Sequence, residues 1–212
     1  MRRSARALTM ASFLFLGFLI GIRHALDADH VAAVMALAAR GGTIGGLARQ
    51  GALWGLGHSL TLLLVAGACI LLGVAVPHGA ERGFEAAVGA MLVLLGISVL
   101  VRLRRRGIDA HAHAHGPLAP RALIVGTVHG LAGSGALVLL VAGTARSSAT
   151  GLSYVALFGL GSVLGMASLA AAAALPLSAT ARLRGRSHKV LCAGTGAFSL
   201  LLGARMLWAF LR

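Results

Sequence analysis

Negative charge is almost absent from this chain. Five Asp and Glu stand against 19 Lys and Arg in 212 residues, a net charge of +14. Charged residues of both signs make up 11% of the sequence, 58% is apolar, and the mean hydropathy is +0.90. So little charge excludes an ordinary soluble domain and implies a polytopic membrane protein, with no large soluble part. Cysteine is scarce too. Cys69 and Cys192 lie far apart in apolar runs, which leaves no disulfide framework and argues against a thiolate metal site. No Walker-type G-x-x-x-x-G-K-[ST] is present, which excludes ATP binding by that route. The positive excess is nearly all Arg, and in a membrane protein it marks cytoplasmic loops rather than a nucleic-acid surface.

What is there is apolar helix. At about 20 residues per span the length accommodates six. The expectation is an all-α polytopic bundle, one transmembrane domain over 1–212, with spans near 8–39, 51–76, 84–101, 121–143, 152–175 and 188–210. A basic loop at 102–121 carries His111, His113 and His115, a pattern that binds metal weakly. Met1-Arg2-Arg3 before an apolar run resembles a signal peptide, but no small-x-small cleavage site follows, so retention is expected. A first segment of about 48 Å exceeds a hydrocarbon core of about 30 Å, and Gly17 and Gly21 are the expected bend points. Trp54 and Trp208 are expected interfacial anchors, and Gly161-x-x-x-Gly165 a close helix contact. With the N-terminus outside, three loops carrying Arg40 and Arg49; Arg102, Arg104, Arg105, Arg106 and Arg121; and Arg182, Arg184, Arg186 and Lys189 lie inside.

Within the first segment stands Gly21-Ile22-Arg23-His24-Ala25-Leu26-Asp27-Ala28-Asp29-His30. Each ionisable group at a membrane helix centre costs roughly 2.5–3.5 kcal/mol on insertion scales, so such groups face a partner or a polar cavity. Imidazole with carboxylate suits borderline divalent ions such as Ni²⁺, Co²⁺ and Zn²⁺. At 3.6 residues per turn His24, Asp27 and His30 drift round one face while Asp29 points away. One regular helix therefore offers two or three ligands to an ion. Other segments must help, or the helix must open. The plainer alternative is an Arg23–Asp27 ion pair with histidines bonded to backbone or water.

An echo supplies further histidines. Gly21 to Leu26, Gly55 to Leu60 and Gly126 to Leu131 all read G-x-x-H-x-L, adding His58 and His129 as candidate ligands. The first and third copies lie in spans one and four. Three spans per half would make a 3+3 inverted repeat.

These residues resemble the nickel/cobalt transporter family, the high-affinity nickel permeases. Its signature is H-x-x-x-x-D-H in a membrane helix, often R-H-A-x-D-A-D-H, and Arg23 to His30 match it in full. A second motif, L-G-H-S, matches Leu56-Gly57-His58-Ser59. The resemblance implies a secondary transporter of nickel and/or cobalt in the cytoplasmic membrane, with His24, Asp29, His30 and His58 handling the metal. It implies no cofactor beyond the transported ion, and a metallochaperone or urease or hydrogenase maturation proteins as partners. Larger members carry a later Asp, Thr and Glu motif; here His129 to Gly135 stands in its place, similar to the shorter, urease-associated branch. The histidine-bearing loop is similar to efflux relatives. Two enzyme alternatives remain: an intramembrane serine hydrolase using Ser134 in Ala132-Gly133-Ser134-Gly135, and a membrane metalloenzyme using His24, His30 and His58. His129 lies five residues from Ser134 on one helix, a poor geometry for activating it.

Overall fold

The computed structural model describes residues 2–39, 41–106, 118–133, 141, 145, 147–182 and 186–212. Among them every regular element is a helix: α1 (Arg2–His24), α2 (Ala28–Ala38), α3 (Ile44–Leu72), α4 (His78–Arg106), α5 (Leu118–Ala132), α6 (Ser148–Arg182) and α7 (Arg186–Leu211). Four stretches are long and apolar enough to cross a bilayer: Ile44–Leu72, His78–Arg105, Ser148–Leu177 and Ser187–Leu211. Met10–His24 with Ala28–Ala38 makes a fifth if the bent pair is one span. The chain is thus a multi-pass helical membrane protein. The remainder of the expected span at 121–143 beyond Gly133, including Ser134, lies mostly outside the described residues, as do His111, His113 and His115.

The first segment bends by 52°, but not at its glycines. It breaks at Ala25–Asp27. There Leu26 N donates to Arg23 O and Asp27 N to His24 O, closing a tight turn. Asp27 then turns extended, at φ −63° and ψ 148°, and opens α2 as its N-cap. Its side chain makes no cap hydrogen bond, although Asp is a favoured capping residue. Gly17 and Gly21 are instead contact points. A Cβ on Gly17 would sit 2.9 Å from the Tyr154 ring, and one on Gly21 would collide with the Phe158 carbonyl.

Two more expectations are corrected. Trp54 is no interfacial anchor: it is fully buried in the core, because α3 is packed on both sides. Arg102 to Arg106 do not begin a loop but continue α4. Trp208 is exposed, with the Arg212 guanidinium 4.9 Å from its ring centroid.

Packing centres on α3, which lies against α6 and α5; α1 packs on α6, and α4 on α7. Small residues bring the backbones together. Gly21 meets the carbonyl of Phe158, and Gly161 that of Phe18, across α1 and α6. Across α5 and α3, Gly126 meets the carbonyl of Trp54 and Gly57 that of Leu123. Gly89 and Gly203 face each other's carbonyls across α4 and α7. Close approach of this kind is how membrane helices associate without a hydrophobic force between them.

Candidate metal centre

The break after His24 places the site. α1 ends at His24, so this residue stands at the negative end of the helix dipole. The turn swings α2 aside and brings Asp29 and His30 towards α3 and α5. α3 contributes His58 and α5 contributes His129. The helix does open locally, and that reverses the helical expectation for Asp29, which now faces the other site residues.

Four imidazoles converge. Ring centroids are 4.5 Å apart for His24 and His30, 5.3 Å for His24 and His58, and 5.2 Å for His30 and His58. His129 stacks obliquely on His30 at 4.0 Å and lies 6.0 Å from His58. His30, His58 and His129 are buried, whereas the Asp27 side chain is 55% exposed at the turn. Phe158 beside His24, and Trp54 beside His30 and His129, form apolar walls. A Cβ on Gly133 would lie 3.6 Å from His24 Nε2, so Gly133 itself borders another side.

Carboxylates hold three of the rings. His24 Nδ1 is 2.7 Å from Asp27 Oδ2, which explains why Asp27 does not cap α2. His30 Nδ1 is 3.0 Å from Asp29 Oδ1, and His129 Nε2 is 2.9 Å from Asp29 Oδ2. An ionised carboxylate only accepts, so the imidazole nitrogen against it carries the proton. The opposite nitrogen is then a lone pair. Among the described residues, His24 Nε2, His30 Nε2, both nitrogens of His58 and His129 Nδ1 are buried with no hydrogen-bond partner. Buried polar atoms are nearly always paired. A cation would take the lone pairs of these imidazoles; the second nitrogen of His58 and Trp54 Nε1, also unpaired, are donors that a cation does not satisfy.

Two groups are tight enough to hold an ion: His24, His30 and His58, and Asp29, His30 and His129, each with ligand atoms within 4.8 Å of one another. Bonds near 2.0–2.1 Å put ligand atoms of one ion about 3.3–4.2 Å apart, so a modest inward movement closes either set. Imidazole held at its far nitrogen by a carboxylate is the usual arrangement around a ligating histidine. Asp27 belongs to neither group and stands behind His24 instead. Sequence spacing could not reveal that role, because it depends on the break; the one available signal was Asp27's suitability as an N-cap. The walls Trp54 and Phe158 had no signal of their own, since large apolar residues fill every span.

Comparison with known proteins follows the same direction. The chain is 33% identical over 210 residues to the urease accessory protein UreH of Bacillus sp. (strain TB-90), covering 94% of this chain and 92% of that one. No protein-family model matches the chain, and neither does any solved structure. The relative is named for an accessory role and not for a catalysed reaction. Identity at that level over nearly the whole of both chains places the protein in the family of the urease accessory protein UreH.

Proposed function

We propose that the protein is a secondary transporter that carries Ni²⁺, Co²⁺ or both across the cytoplasmic membrane. One observation carries the reading: three imidazoles, the half-buried His24 and the buried His30 and His58, have unpaired nitrogens and stand close enough to share an ion, and carboxylates hold two of them from behind. Neutral imidazole suits these ions. The name of the relative, an accessory protein of the nickel enzyme urease, agrees with nickel as cargo and with urease maturation proteins as its recipients. The resemblance of Arg23 to His30 to the nickel permease signature supports the same reading. A divalent ion moving inward gains about 4.6 kcal/mol from 100 mV of membrane potential.

A correspondence between the two halves of the chain, of the kind an inverted repeat would produce, supports the transport step. Trp54-Gly55-Leu56-Gly57-His58 and Phe158-Gly159-Leu160-Gly161-Ser162 share their pattern, as do Gly21 to Leu26 and Gly126 to Leu131. The contacts correspond as well. Gly21 meets Phe158 where Gly126 meets Trp54, and Gly161 meets Phe18 where Gly57 meets Leu123. Exchange of α1 and α3 for α5 and α6 leaves this pairing unchanged. Such repeats place a substrate site between two halves that rock against each other.

Radiotracer Ni²⁺ flux into sealed vesicles holding the purified chain tests the reading, with Co²⁺ and Zn²⁺ as competitors. Saturable Ni²⁺ flux is expected, reduced to background by His24→Ala and His30→Ala. Unaltered flux in those two variants would remove the site from the pathway.

A further inference from the structure

The two nitrogens of His30 have different surroundings. Nε2 has no hydrogen-bond partner, and His30 forms one tight group with His24 and His58. Nδ1 lies against Asp29, whose other oxygen holds His129, and these three form the second tight group. Two metal bonds of about 2 Å with an imidazole between them would separate the ions by roughly 6 Å. The groups are thus two positions with a shared wall, not one enlarged site. His30 sits between the helices of the first half and His129 of α5.

We propose that the ion passes through two adjacent stations, His24/His30/His58 and Asp29/His30/His129, and that its transfer from one nitrogen of His30 to the other is a step of transport. This rests on the reading of the centre as a metal carrier and adds a second binding site to it. The transfer balances without loss of a proton. The bonds from the ion to His24, His58 and His30 Nε2 break, and bonds to an Asp29 oxygen, His30 Nδ1 and His129 Nε2 form. A water molecule entering with the ion takes the proton leaving His30 Nδ1 and returns one to Nε2, which has just lost the ion, and water relays the exchange on His129 in the same way. The proton leaving His129 Nε2 is taken up at His129 Nδ1, which is buried and unpaired. Both rings remain neutral throughout, and the ion exchanges a neutral imidazole for a carboxylate.

The test uses the full chain purified in detergent, with Co²⁺ as the binding probe and its visible absorption as the reporter, and parallel Ni²⁺ flux in vesicles. Wild type should bind and transport. His129→Ala should keep the three-imidazole station, with Co²⁺ affinity within about tenfold of wild type, yet lose at least about 100-fold in flux. His58→Ala should still bind Co²⁺ but with an altered spectrum, from the oxygen-containing station. His30→Ala should bind at neither. His129→Asn keeps a donor to Asp29 but supplies no imidazole, and should behave as His129→Ala. Wild-type flux in His129→Ala would overturn the second station and leave the carrier reading intact. Restored flux in His129→Asn would overturn it too, reducing His129 to a residue that positions Asp29. Loss of Co²⁺ binding in folded His129→Ala would mean a single four-residue site. Failure of wild type to bind Co²⁺ or Ni²⁺ would instead refute the carrier reading itself.

Discussion

The middle of α3 and the middle of α6 are built alike and do different things. Each presents an aromatic residue, two glycines and a polar residue in the same order, and each receives a glycine of a neighbouring helix against its backbone. In α6 the polar residue is Ser162, whose hydroxyl donates to the carbonyls of Phe158 and Gly21. In α3 it is His58, fully buried, with neither ring nitrogen partnered. One frame thus carries a side chain whose bonding is met and another whose nitrogens are left unpartnered. Backbone packing decides where a group stands; the side chain's unmet bonding decides whether the place is chemical.

That contrast can be broken most severely at its shared centre. His30→Ala should take Ni²⁺ flux to background while the protein still inserts, since removal of a polar group does not penalise a membrane helix. Insertion is read by membrane fractionation and flux by radiotracer. Next in size is the pair that defines the comparison. His58→Ala should lower flux by at least about 100-fold, whereas Ser162→Ala should leave it within about twofold and cost about 1 kcal/mol of stability for its hydrogen bond. Equal losses in the two variants would show that α3 and α6 are not chemically distinct. Asp27→Asn comes third: loss of the charged support behind His24 should weaken Ni²⁺ affinity by about 10–100-fold, measured by equilibrium binding.

Acidity should act more mildly and more generally. Protons compete with the ion for imidazole, so flux should fall as the pH on the uptake side drops from about 7.5 to 5.5. Replacing His111, His113 and His115 with alanine should leave that profile in place. A triple variant without any flux would put the loop in the pathway.

Much of this was legible in the sequence, for physical reasons. Hydrocarbon makes charge conspicuous, so Arg23 to His30 stood out as the unusual stretch, and long apolar runs announced a helical membrane protein. The turn at Ala25–Asp27 was not legible, because regular helical spacing contains nothing that marks a departure from itself; Gly17 and Gly21 looked like weak points and are contact points. Trp54 illustrates the same limit. An indole belongs equally to an interface or a core, and only the presence of α5 and α6 on either side of α3 decides between them. The support roles of Asp27 and Asp29 depend on which nitrogen each carboxylate meets, a matter of three dimensions.

The glycines carry a consequence for how the protein tolerates change. Their positions fall into two populations. At Gly21, Gly57, Gly126, Gly161 and Gly203 an added methyl would press into a neighbouring carbonyl, and such overpacking costs about 1–3 kcal/mol or more. At Gly83 and Gly194, inside α4 and α7, nothing lies within 4 Å of where the methyl would go. Alanine there should raise stability by about 0.5–1 kcal/mol, measured by thermal unfolding in detergent. A saturation scan of the chain would therefore find two classes of glycine with opposite signs, and the intolerant class would trace the helix seams without reference to any coordinate.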